Sequence, residues 1–136
     1  MTEMRRIVVI DGMGGGIGRS LIEKAKAELE GVEIIAVGTN SAATSAMLKA
    51  GADFGATGEN AVAYNAARAE YIVGVMGIVF ANSMHGEISP KMAEAVATSP
   101  AHKILIPIDK CNVTVTGCSP VSIQLHVNEA VEKLRI

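Results

Sequence analysis

Aromatic side chains are nearly missing from this chain: 3% of residues, with two Tyr, two Phe and no Trp. No cluster of basic residues stands out either, and the formal net charge is −2. Together these absences argue against nucleic acid as the main partner. Cysteine is scarce, at two residues, Cys111 and Cys118, which read as free thiols. No apolar run approaches the roughly 20 residues needed to span a bilayer. The opening MTEMRR leads into a short apolar strand without a long hydrophobic region or cleavage site. The expectation is a cytoplasmic protein that does not engage the membrane.

Charge is thin as well, at 19% of residues against roughly 25% in typical soluble domains. Apolar residues reach 49%, with 14 glycines besides. A chain of 136 residues reads as one domain, 1–136, able to bury a core without disulfides or metals. So apolar a composition buries more surface than one core supplies, so a homo-oligomer is expected.

The stretch Arg5 to Ala25, RRIVVIDGMGGGIGRSLIEKA, organises the rest. It reads as a buried strand over Ile7 to Ile10, a glycine turn, and a helix. The helix carries Ile17, Leu21, Ile22, Ala25 and Leu29 at helical spacing, with Glu23, Lys24 and Lys26 turned away. Gly31 is expected as its C-cap, and Val32 to Val37 as a second buried strand. Asn40 or Ser41 caps a short helix running through Leu48. A short third strand covers Asp53 to Ala56, after which Thr57 is expected to cap a helix bearing Val62, Ala66 and Ala69. Tyr71 to Met76 forms a fourth strand, followed by a helical turn before Gly86. Ser89-Pro90 opens the helix Lys91 to Thr98. Lys103 to Ile108 is the fifth strand. Val113 to Thr116 alternates like an edge strand, and Ser119-Pro120 opens a last helix with Val127, Ala130, Val131 and Leu134.

Strands alternating with helices imply right-handed crossovers and a sheet covered on both faces. The predicted architecture is α/β: a three-layer, doubly wound, mostly parallel sheet of Rossmann-like type. Its strand order is 3-2-1-4-5, with an extra edge strand.

The glycine turn fits no named fingerprint completely. Gly12, Gly14, Gly15, Gly16 and Gly18 fail G-x-G-x-x-G because Ile17 stands where the third glycine belongs. They satisfy G-x-x-x-G-x-G through Gly12, Gly16 and Gly18, a spacing that resembles short-chain dehydrogenases. The acid pair of those enzymes, Tyr-x-x-x-Lys, is met only by Tyr64 and Arg68, too early in the chain. A P-loop fails twice: Met13 replaces its first glycine and Arg19 its lysine. What remains is a cradle of backbone N–H groups for a phosphate or pyrophosphate.

Cofactor-binding residues are accordingly expected at Asp11, Gly12, Gly14, Gly15, Gly16, Ile17 and Gly18, with Asp11 ordering the turn's N–H groups. Thr39 and Asn40 stand where dinucleotide sites usually place an acid for the ribose, and equally suit helix caps. Asn82 and Ser83 complete the crevice. The ligand is a small phosphorylated molecule, NAD(P) or another nucleotide, its identity open. His85, Glu87 and Cys111 offer a Cys–His nucleophile pair or a set of metal ligands, with ordinary loop polarity as the plainer alternative.

The runs IDGMGGGIG, VGTNSAATSAMLKAGA, ATGENA, IVFANSMHGEISPKMAEA and ILIPIDKCN together resemble a family of uncharacterised proteins from anaerobic, clostridial-type bacteria, a domain of unknown function. The resemblance spans Arg6 to Asn112 and implies a bacterial cytoplasmic protein, but no catalytic residues. Three functions follow: a nucleotide-binding protein, a non-catalytic regulatory or sensor module, and a small enzyme with its site at the strand ends or an oligomer interface.

Overall fold

The computed structural model describes residues 4–107, 112–118 and 121–135. Five strands are joined by helices: β1 (Arg5–Asp11), α1 (Gly16–Glu28), β2 (Val32–Gly38), α2 (Ser41–Lys49), β3 (Phe54–Thr57), α3 (Glu59–Ala66), β4 (Tyr71–Val75), α4 (Pro90–Thr98), β5 (His102–Ile106) and α5 (Ile123–Leu134). A 3-10 turn, Met76–Val79, leaves β4. All strand pairs are parallel, in the order β3-β2-β1-β4-β5. The expected Rossmann-like α/β arrangement and strand order are present.

β1 is central because it is apolar on both faces. Side chains alternate along a strand, so Ile7 and Val9 join one core with Leu21, Ile34, Met47 and Val131. Val8 and Ile10 join the other, with Val62, Ile72, Met92 and Val96. Helices α1, α2 and α5 cover the first face; α3 and α4 cover the second. Each such side chain, fully buried, contributes about 1.5–3 kcal/mol. The chain steps from β1 to β2 on one side, then crosses under α3 to β4 on the other. Connections therefore diverge between the carboxyl ends of β1 and β4, where parallel sheets leave a crevice.

Several local expectations change. The extra edge strand at Val113 to Thr116 is absent: these residues form no ladder, and all but Val113 are exposed. Alternation of Val and Thr fits a half-buried strand, but here no layer covers either face. Thr57 does not cap α3. Gly58 holds that position at φ 103°, while the Thr57 hydroxyl lies 2.7 Å from that of Thr44. The C-cap of α1 is Leu29, in extended conformation, two residues before Gly31. β4 stops at Val75 rather than Met76, and β5 runs His102–Ile106. Ser119 and Pro120 lie outside the described residues, and the N-cap of α5 is Ser122, whose hydroxyl accepts from Leu125 N at 3.3 Å. Ser89 caps α4 as expected, accepting from Met92 N at 3.2 Å with Pro90 at the first helical position. Among the described residues, no helix is long and apolar enough to cross a membrane.

Candidate functional site

The glycines after β1 divide into two kinds. Gly15 is the N-cap of α1 at φ 75°, a left-handed conformation that disfavours side chains, and a Cβ there would lie 2.8 Å from the Ala43 backbone. A Cβ on Gly12 would meet Thr39 Oγ1 at 2.6 Å and Glu87 Oε1 at 2.7 Å. One on Gly18 would meet Met47 Sδ at 2.5 Å and Asp11 Cβ at 2.9 Å. Packing explains these three. Gly14 and Gly16 differ: a Cβ on either meets nothing within 4 Å, and neither has a left-handed φ.

The N–H groups divide in parallel. Asp11, buried at 6% exposure, accepts from Gly12 N at 2.8 Å and from Gly18 N at 2.6 Å. Glu87 Oε1 accepts from Met13 N at 2.8 Å, and Gly15 N donates to Gly12 O at 2.9 Å. The N–H groups of Gly14, Gly16 and Ile17 have no acceptor among the described residues.

Glu87 also gathers the loop after β2. Its Oε1 accepts from the Thr39 hydroxyl at 2.5 Å and from Asn40 Nδ2 at 3.2 Å. Asn40 additionally caps α2, accepting from Ala43 N at 2.9 Å, and donates to Met13 O at 2.9 Å. These donors, Met13 N foremost, hold the Glu87 carboxyl below the ordinary glutamate value. Burial pushes Asp11 the other way, above the ordinary aspartate value; its bonds from Gly18 and Gly12 offset part of the rise and the Glu87 charge adds to it.

The opposite wall is the segment after β4. Asn82, Met84, His85 and Gly86 all have left-handed φ, between 56° and 88°. Such a run is costly for non-glycine residues. Hydrogen bonds within the segment fix it, among them Asn82 N donating to Ile88 O at 2.7 Å, Ser83 Oγ to Gly77 O at 2.5 Å and Glu87 N to Met84 O at 3.0 Å.

Between the walls lies a cavity of about 1040 Å³, lined by residues 11–17, by Val75, Gly77 and residues 80–85, and by Ile123 from α5. Asp11, Gly12, Gly14, Gly15, Gly16, Ile17, Asn82 and Ser83 thus come together around one space. Gly18, Thr39 and Asn40 are not on its wall: Gly18 is packed beneath Asp11, and the other two are engaged by Glu87. His85 lines the cavity, whereas Cys111 lies outside the described residues, as do Asp109 and Lys110. Among the described residues no three His, Cys, Asp or Glu converge as a metal site would require. The Glu87 bond network and the contribution of Ile123 are not evident in the sequence. Glu87 follows His85 and Gly86 near a strand end, a signal for polarity but not for its partner, and nothing local marks Ile123.

The fold is similar to the crystal structure of a dodecameric FMN-dependent UbiX-like decarboxylase from Escherichia coli O157:H7, at 19% identity and a TM-score of 0.47, over 96% of this chain and 76% of that one. The likeness is one of fold. No curated protein matches the chain. Residues 6–136 match the model of the domain of unknown function DUF3842, and the chain belongs to that family.

Proposed function

We propose that this protein binds a nucleotide or another small phosphorylated ligand between the carboxyl ends of β1 and β4. The anionic group sits on the N–H groups of Gly14, Gly16 and Ile17. One observation carries the reading: Gly14 and Gly16 are glycine with no internal contact or backbone angle to require it. Close approach of an outside molecule is what bare backbone permits there. The N-terminus of the 13-residue α1 adds the positive end of a helix dipole, equivalent to about half a charge. Gly12, Gly15 and Gly18 shape the turn, and Asn82 and Ser83 form the facing wall. Asp11 has both oxygens committed to backbone N–H groups, which favours binding over chemistry by that carboxylate. Exposed Val121 and Leu125, around the start of α5 and off the cavity wall, support self-association as a second part of the reading.

Thermal unfolding with NAD(H), NADP(H), ATP, AMP, CoA and FMN tests it. A ligand at 100 times its Kd adds about 2.7 kcal/mol. At least one compound should raise the Tm of the wild type and not of Gly16→Val. Silence across the panel removes the proposal, and a shift retained by the variant moves the site elsewhere.

A further inference from the structure

We infer that the ligand carries a single phosphate group on an apolar body, which rests on the binding reading above and adds the class of molecule. The first argument is charge. Among the described residues lining the cavity there is no Lys or Arg, and Asp11 contributes a carboxylate. Backbone N–H groups and the dipole of α1 suit one phosphate. The added charges of a triphosphate would meet no Lys or Arg among the described residues of this wall and would lie near Asp11.

The second argument is the wall itself. Beyond the glycine turn its apolar side chains are Val75, Phe80, Ala81, Met84 and Ile123, beside the polar Asn82, Ser83 and His85; Ile123 comes from α5 and the others from the end of β4 and the segment after it. The Ser83 hydroxyl is already bonded to Gly77 O, so it offers no hydrogen to a guest. The Asn82 side-chain amide has no partner among the described residues and can pair with a polar edge of the body. Bare phosphate would leave these apolar side chains in water. A cavity of about 1040 Å³ is also at the top of the range that encloses whole organic ligands.

Calorimetric titration of the full chain, without divalent cations, separates the outcomes. The probes are inorganic phosphate, phenyl phosphate, AMP and ATP. Phenyl phosphate should bind at least about tenfold more tightly than inorganic phosphate, the gain from burying a modest apolar area. AMP should exceed ATP by about tenfold or more, since only the latter brings uncompensated charge. Ile123→Ser, at a residue 42% exposed and therefore tolerant of change, should weaken phenyl phosphate and leave inorganic phosphate unaltered. Equal affinity for phosphate and phenyl phosphate overturns the inference while leaving the binding reading in place. So does ATP binding as well as AMP, or a phenyl preference untouched by Ile123→Ser. No binding of any probe overturns both.

Discussion

Asp11 Oδ2 accepts the N–H of Gly18 at 2.6 Å, so the carboxylate that ends β1 reaches into the first turn of α1. With Oδ1 on Gly12 N, the glycine turn is wrapped around a carboxylate of its own chain. The N–H groups that Asp11 and Glu87 leave untouched, those of Gly14, Gly16 and Ile17, are therefore the ones proposed to hold an anion. Asp11→Asn keeps the shape but loses one acceptor, stranding a buried N–H. The expected cost is about 1–3 kcal/mol, read as a lower urea midpoint with an unchanged slope.

Glycine substitutions should split by sign. Gly16→Ala fills open space at the start of a helix and should raise stability by up to about 1 kcal/mol. The same change should weaken any phosphorylated ligand that stabilises the wild type. Gly18→Ala forces a Cβ against Met47 Sδ and Asp11 and should cost about 1–3 kcal/mol. Gly15→Ala combines a left-handed φ with a backbone contact at 2.8 Å and should be at least as costly as Gly18→Ala. Denaturation of the three variants beside a binding titration checks the pattern, and a destabilised Gly16→Ala would contradict it.

The two carboxylates predict opposite acid responses. Glu87 is lowered in the folded state, so between its folded value and the ordinary 4.5 the unfolded chain holds more protons. Its contribution is present above pH 4.5 and is lost as pH falls through the folded value. Asp11 is raised above 3.8, so its contribution is greatest below that pH and is lost as pH rises through the folded value. Glu87→Gln should therefore flatten the loss of stability below pH 4.5, and Asp11→Asn should remove a decline on the side above 3.8. Urea midpoints measured from pH 3 to 7 test both signs.

Glu87→Ala removes the shared acceptor of Met13 N, the Thr39 hydroxyl and Asn40 Nδ2. These groups are partly solvated, so the expected loss is about 1–2 kcal/mol. Amide exchange is the sharper measurement. The Met13 N–H should lose protection in the variant while Gly18 N–H, held by Asp11, keeps it.

The layered fold is legible in the sequence because β1, β2 and β4 are apolar on both faces and the intervening helices carry 3.6-residue spacing. The Val113 to Thr116 strand is not there because alternation describes one strand, whereas a ladder needs a neighbour and a covering layer. At the site, five clustered glycines announce a turn, but their separate roles depend on atoms remote in sequence: Ala43 beside Gly15, Met47 beside Gly18, Thr39 and Glu87 beside Gly12. Thr39 and Asn40 stand at the strand end where a ribose contact is expected. Their engagement by Glu87, 48 and 47 residues away, follows only from the folding of the loop after β4.

That loop has a thermodynamic consequence. Asn82, Met84 and His85 sit in backbone states that a free peptide visits rarely, pinned by the Asn82–Ile88 and Ser83–Gly77 bonds at one end and by Glu87 at the other. The ordering entropy of this wall is spent when the protein folds, not when a guest arrives. Association should accordingly show a small entropic penalty, with fast, nearly rigid docking in place of slow closure.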